Sequence, residues 1–442
     1  MATQNNFEPI RAFSPEDLPA AYERLTSDVQ FRNVVTKVFP QVPFEMLEAK
    51  LKQCKTNLDF QLAFCYPFLK DLLAKASKGC DIDISNIDNT RRYTFVSNHR
   101  DIVLDSALLD VMLIDAGFKT TCEIAIGDNL LAAPWIKDLV RVNKSFIVLR
   151  SAGIREMLVN SKRMAEYMNL VINEKHDNIW IAQREGRAKD SNDRTQESII
   201  KMMAMGGEGS VAERLKQLHI VPLAISYEYD PCDFLKAAEF QLKRDVEGWK
   251  KTKQDDVLSM QTGIMGYKGH IHYHCAPCLD HFLDTLPADL PKGDIFRVIA
   301  DKMDNDIHAN YQLYANNIIA LDMLEDTAGG DYTKEEKTTF VNYLEQQAKK
   351  AEDILTKAGL TPDKAYLRER ILTMYANPAR NKAAAKYNPQ IRKTTSHPQH
   401  APPYYIFSNS RTRHSRFVRA RQLRQRRRKL FKTHSRLCRS SH

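Results

Sequence analysis

The chain has 442 residues, 43% hydrophobic and 27% charged, which fits a globular protein with a large core and excludes a fibrous or low-complexity one. Its formal charge of +10 is unevenly placed. Of 65 Lys and Arg, 15 lie beyond residue 390, leaving 50 against 55 Asp and Glu, a net of −5 for the first 390 residues. That mildly acidic body gives no reason to expect a nucleic-acid partner.

The N-terminus, Met1 to Glu16, shows no basic-then-apolar leader. From about Pro15 to Ser77 apolar residues recur at helical spacing, as in Leu18, Ala21 and Tyr22, then Phe60, Phe64, Phe68 and Leu72. Residues 1–85 therefore read as a helical region without strands. From 86 to 290 strands and helices alternate. The strand candidates are Tyr93–Val96, Cys122–Ile126, Ser145–Leu149, Asn178–Ala182, Ile220–Tyr227 and His270–Cys275, with helices such as Ile154–Glu174 between them. Such alternation predicts an α/β fold, a mostly parallel central sheet with flanking helices.

Residues 291–387 read as a helical C-terminal region: Asp294–Leu324, Lys334–Lys357 with a Thr333/Glu336 capping box, and Asp363–Lys386. Residues 388–442 read as a disordered basic tail outside the catalytic part, with 13 basic residues between Arg411 and Arg439. No apolar run reaches the ~18–20 residues needed to cross a bilayer. The eight cysteines are widely spaced and mostly in apolar surroundings, as reduced thiols would be. Together these predict a cytoplasmic protein, peripheral to the cytoplasmic face of a membrane if one is involved.

Two runs carry chemistry. In Ser97-Asn98-His99-Arg100-Asp101, continuing to Asp105, a histidine follows an apolar strand and a carboxylate follows within about two helical turns. A base beside a carboxylate is the minimum needed to deprotonate a hydroxyl. In Arg184-Glu185-Gly186-Arg187 a second strand ends in arginines suited to a phosphate. Both sit where α/β sheets present functional residues, at strand C-terminal ends.

The order of motifs resembles the glycerolipid acyltransferases, most closely the glycerol-3-phosphate and dihydroxyacetone-phosphate branch. The blocks are His99-Arg100 with Asp105; Gly127-Asp128-Asn129-Leu130 running to Phe146-Ile147-Val148-Leu149-Arg150; Arg184-Glu185-Gly186-Arg187; and Val221-Pro222-Leu223-Ala224. They span about residues 91–230. The family separates its His and Asp by four residues, whereas five lie between His99 and Asp105, which leaves Asp101 as a competing partner. Helix capping also explains Asp101, so Asp105 is the favoured partner.

The resemblance implies a mechanism in which His99, with Asp105 or Asp101, activates an acceptor hydroxyl. It also implies substrate binding by Asn129, Arg150, Arg184, Glu185, Gly186 and Arg187. The function implied is acyl transfer from acyl-CoA or acyl carrier protein to glycerol 3-phosphate or a related glycerophosphate, at a membrane surface and without cofactor or metal. The alternatives are a 1-acylglycerol-3-phosphate or other lipid acyltransferase, or a zinc-dependent hydrolase. The hydrolase would use His270, His272 and His274 with Cys275 and Cys278.

Overall fold

The computed structural model describes residues 6–131, 133–150, 153–287, 289–291 and 293–386. In chain order the elements are α1 (Leu18–Ser27), α2 (Val29–Val38), α3 (Phe44–Gln53), α4 (Asn57–Phe60), α5 (Tyr66–Ala76), β1 (Gly79–Asp83), β2 (Thr94–Ser97), α6 (Leu104–Asp115), β3 (Cys122–Gly127) and α7 (Pro134–Val142). Then come β4 (Ser145–Val148), α8 (Ile154–Asn173), β5 (Asn178–Ala182), α9 (Glu197–Met203), α10 (Val211–Lys216), β6 (Ile220–Tyr227), α11 (Asp233–Asp245) and α12 (Lys253–Met265). The last are β7 (His270–Cys275), α13 (Asp280–Asp284), α14 (Ile295–Ala309), α15 (Ala315–Glu325), α16 (Lys334–Lys357) and α17 (Lys364–Lys386).

The strands form one sheet in the order β1-β7-β6-β2-β5-β3-β4. All neighbours are parallel except β6 and β7. The sheet is thus α/β and mostly parallel, as expected. Its central strands are apolar on both faces because helices cover both. Val96, Ile179, Ile181 and Ile220 pack against Met168 and Val171 of α8, Met203 of α9, and Ile299 and Met303 of α14. Phe95, Trp180, Val221 and Leu223 pack on the other face against Leu108 and Leu109 of α6 and Leu72 of α5. The later helices α11, α15, α16 and α17 share a separate core built on Ala237, Ile319, Phe340, Leu344 and Ile371.

Two expectations change. The N-terminal region contains a strand, β1, whose Gly-Cys-Asp-Ile-Asp sequence is too polar to signal one. It exists because its backbone pairs with β7, Gly79 opposite His270 through Asp83 opposite His274. The single helical segment expected over Asp294–Leu324 is two helices, broken at Asn310 to Tyr314. There the Tyr314 N–H donates to Asn317 Oδ1 at 2.9 Å and starts α15 afresh. The tail from 388 lies outside the described residues.

Candidate active site

The extra residue between His99 and Asp105 is absorbed before α6, which begins at Leu104. Asp105 consequently lies in the first helical turn, buried, with Oδ2 2.8 Å from His99 Nδ1. The same oxygen accepts from the backbone N–H groups of Arg100 (2.6 Å) and Asp101 (3.1 Å). One carboxylate therefore orients the imidazole and shapes the loop that carries it. A proton held on Nδ1 by that carboxylate leaves Nε2 as the base. The His99 ring stands edge-on to Trp180 at 5.6 Å, and Trp180 Nε1 donates to Ser97 Oγ at 3.0 Å.

Asp101 does not take the partner's place. Its Oδ1 accepts from the backbone N–H groups of Val103 (2.9 Å) and Leu104 (2.8 Å), so it caps the entrance to α6. Burial and the neighbouring Asp105 charge push its carboxyl above the ordinary value, against the pull of those backbone bonds. The structure thus separates the two candidate acids: Asp105 touches the histidine and Asp101 starts the helix.

The arginine runs lie on the loops after β4 and β5. Arg150 Nη1 is 3.2 Å from Glu185 Oε1, so the two loops are joined by an ion pair at the surface. The Arg150 backbone N–H also donates to Asp128 Oδ2 at 3.2 Å. Asn129 is exposed on the short turn after β3. A Cβ on Gly127 would stand 2.6 Å from Asn129 Oδ1, so the glycine makes room for that turn. Gly186 has φ +69, a left-handed conformation that favours glycine, and it turns the chain between Glu185 and Arg187. Arg184 Nε and Arg187 Nη1 are buried with no hydrogen-bond partner. Buried guanidinium donors without a protein acceptor suit an anionic oxygen brought by a ligand.

Sequence reasoning missed the support beneath His99. Asn98 bonds to Ile225 in both directions, Nδ2 donating to its carbonyl (2.9 Å) and Oδ1 accepting its N–H (2.8 Å). This fastens the end of β2 to β6. Arg100 forms a buried ion pair with Asp193 at 2.8 Å, and Tyr311 Oη donates to the same carboxylate at 2.5 Å. Burial opposes the Arg100 charge, but Asp193, Tyr311 and Asp230 together outweigh it and hold the guanidinium above its ordinary value. Lys236 Nζ donates to the Arg100 carbonyl at 3.3 Å. These partners, 93 to 211 residues from Arg100 in sequence, reach it only through the fold, and no local pattern marks them.

The His-rich strand behaves differently from a metal motif. His272 pairs with Asp81, as does His270 at 3.2 Å, and His274 stands 3.3 Å from Asp83, all across the β1–β7 edge. Cys275 turns into the core. The histidines and cysteines of this run do not converge on one point, which removes the geometry a zinc hydrolase would need there.

Residues 81–226 match the acyltransferase family model. That stretch is 146 of the 442 residues and takes in His99, Asp105, Arg150 and the Arg184–Arg187 run. Among solved structures it is similar to the 1-acyl-sn-glycerophosphate (LPA) acyltransferase PlsC from Thermotoga maritima, at 12% identity and a TM-score of 0.33, over 61% of this chain and 84% of that one. No curated protein matches the chain.

Proposed function

We propose that the chain transfers a fatty acyl group from a thioester, acyl-CoA or acyl carrier protein, to a hydroxyl of glycerol 3-phosphate or a related glycerophosphate. The observation carrying this reading is the His99–Asp105 pair at the end of a central parallel strand, with unpaired arginine donors on the loop after the neighbouring strand β5. His99 Nε2 takes the acceptor hydroxyl proton while Asp105 stabilises the imidazolium. The oxygen attacks the thioester carbonyl, the C–S bond breaks, and the departing thiolate receives the proton from His99. Arg184 and Arg187 hold the acceptor phosphate, and the Arg150–Glu185 pair sets the spacing of the two loops.

No described helix is long and apolar enough to cross a membrane. Peripheral contact is supported by the start of α8, where Ile154 (77% exposed), Met157 and Leu158 share one helical face just beyond Arg150. A thiol-release assay with palmitoyl-CoA tests the reading. Release dependent on glycerol 3-phosphate supports it; release dependent only on lysophosphatidate moves the acceptor to the second reading; no acceptor-dependent release refutes both.

A further inference from the structure

The run that failed as a zinc motif contributes one residue to a different cluster. Cys278 follows β7, and because β7 is antiparallel to β6 the chain leaving β7 meets the chain about to form β6. The Leu279 N–H donates to the Ile220 carbonyl at 2.9 Å and locks that meeting. A ring nitrogen of His219, the Cys278 sulfur and a carboxylate oxygen of Asp280 then lie within 4.8 Å of one another.

Two features set this corner apart from an ordinary surface pair. His219 is held at φ +46, a left-handed conformation uncommon outside glycine. Asp280 Oδ2 lies 2.6 Å from His219 Nδ1, but its Oδ1 is buried with no hydrogen-bond partner. Burial works to raise the Asp280 carboxyl, and its bonds to His219 and Cys278 and the Arg91 charge overcome this, so it stays below its ordinary value. Arg91, half exposed at the rim, places its guanidinium 3.6 Å from Asp280 and 3.2 Å from His219 Nδ1, where it holds the position a metal cation would take. A cavity of about 400 Å³ opens beside His219, lined by Thr90, Arg92, Asn173 and His176 among others.

We propose that His219, Cys278 and Asp280 bind a divalent transition metal of the zinc class, with a fourth position open to solvent. Imidazole, thiolate and carboxylate together suit zinc, whereas magnesium and calcium take oxygen donors. Tetrahedral ligands about 2.0–2.3 Å from zinc stand roughly 3.5 Å apart, so on binding the wider separations close by up to about an ångström while the 2.6 Å His219–Asp280 contact opens by a similar amount. As the metal–sulfur bond forms, the Cys278 thiol loses its proton to solvent and Arg91 moves away. His219 adjoins the start of β2, since its carbonyl accepts from the Thr94 N–H. At ~3.3 Å per residue His99 lies on the order of 15 Å away, so the metal staples β6 to β7 and takes no part in acyl transfer.

The test uses the full chain, stripped with chelator and titrated with Co²⁺. The expected result is one Co²⁺ per chain with a near-ultraviolet thiolate-to-cobalt absorption, lost in Cys278→Ser and retained in His272→Ala. An absent band, or one of equal strength in Cys278→Ser, overturns the site. The wild-type chain supplies a check that needs no variant: Zn²⁺ slows alkylation of Cys278, read by mass spectrometry, at least tenfold. An unchanged alkylation rate overturns the proposal.

Discussion

Two of the regions where this sheet brings a histidine against an aspartate, the end of β2 and the β1–β7 edge, differ in what surrounds the pair. At the end of β2, Asp105 is 1% exposed, accepts two backbone N–H bonds besides the histidine, and leaves His99 one defined orientation. At the β1–β7 edge, Asp81 is 57% exposed and shared between His270 and His272. The first carboxylate is fixed by the backbone and fixes the ring in turn. The second is solvated, and its pairs are of the kind worth ~0–1 kcal/mol. Burial, backbone support and nearby unpaired guanidinium donors set the first pair apart from the second.

The sharpest way to break the comparison is to remove one histidine from each region. His99→Ala is expected to lower turnover by about 10³-fold or more with little change in Tm, while His272→Ala stays within about twofold. Equal losses, read by thiol release with thermal melts alongside, would erase the distinction. Asp105→Asn follows, with a fall in kcat of about 10²–10⁴-fold, because the amide favours the wrong imidazole tautomer.

A smaller effect separates binding from chemistry. Arg187→Ala is expected to raise KM for the phosphorylated acceptor about 10–100-fold and leave KM for the acyl donor unchanged. A change confined to the donor would move the phosphate site elsewhere.

Stability against pH probes the core beneath α6. Burial first, against the pull of its Cys122 backbone bond, pushes the Asp110 carboxyl up to about 7 from 3.8. A raised folded-state value stabilises below the unfolded value, and that stability disappears as pH rises from about 4 through 7. Wild type should therefore lose on the order of 3 kcal/mol relative to Asp110→Asn between pH 4 and 8. Parallel denaturation curves for the two proteins would contradict this. The smallest effect is expected for a chain ending at Gln390: thiol release in detergent within about twofold of the full chain.

How legible the site was depended on sequence distance. His99 and its carboxylate were visible because six positions span a strand end and a helix start, and the arginine runs because each closes an apolar strand. Between Asp101 and Asp105 the sequence favoured Asp105 through the capping habit of Asp101, while the deciding fact, that the extra residue enters the loop before Leu104 and not the helix, is a matter of backbone geometry. The Arg100–Asp193–Tyr311 cluster was hidden by separations of 93 and 118 residues and by side chains common on surfaces. Likewise β1 has too little apolar character to be read locally and becomes a strand through its partner β7.

The most direct measurement is acceptor-dependent release of free thiol from palmitoyl-CoA by wild type and by His99→Ala, at pH 7 and with glycerol 3-phosphate varied. Saturable release that vanishes in the variant, while its melting curve is preserved, is the predicted result. Undiminished release by a folded His99→Ala protein would contradict the assignment of the base.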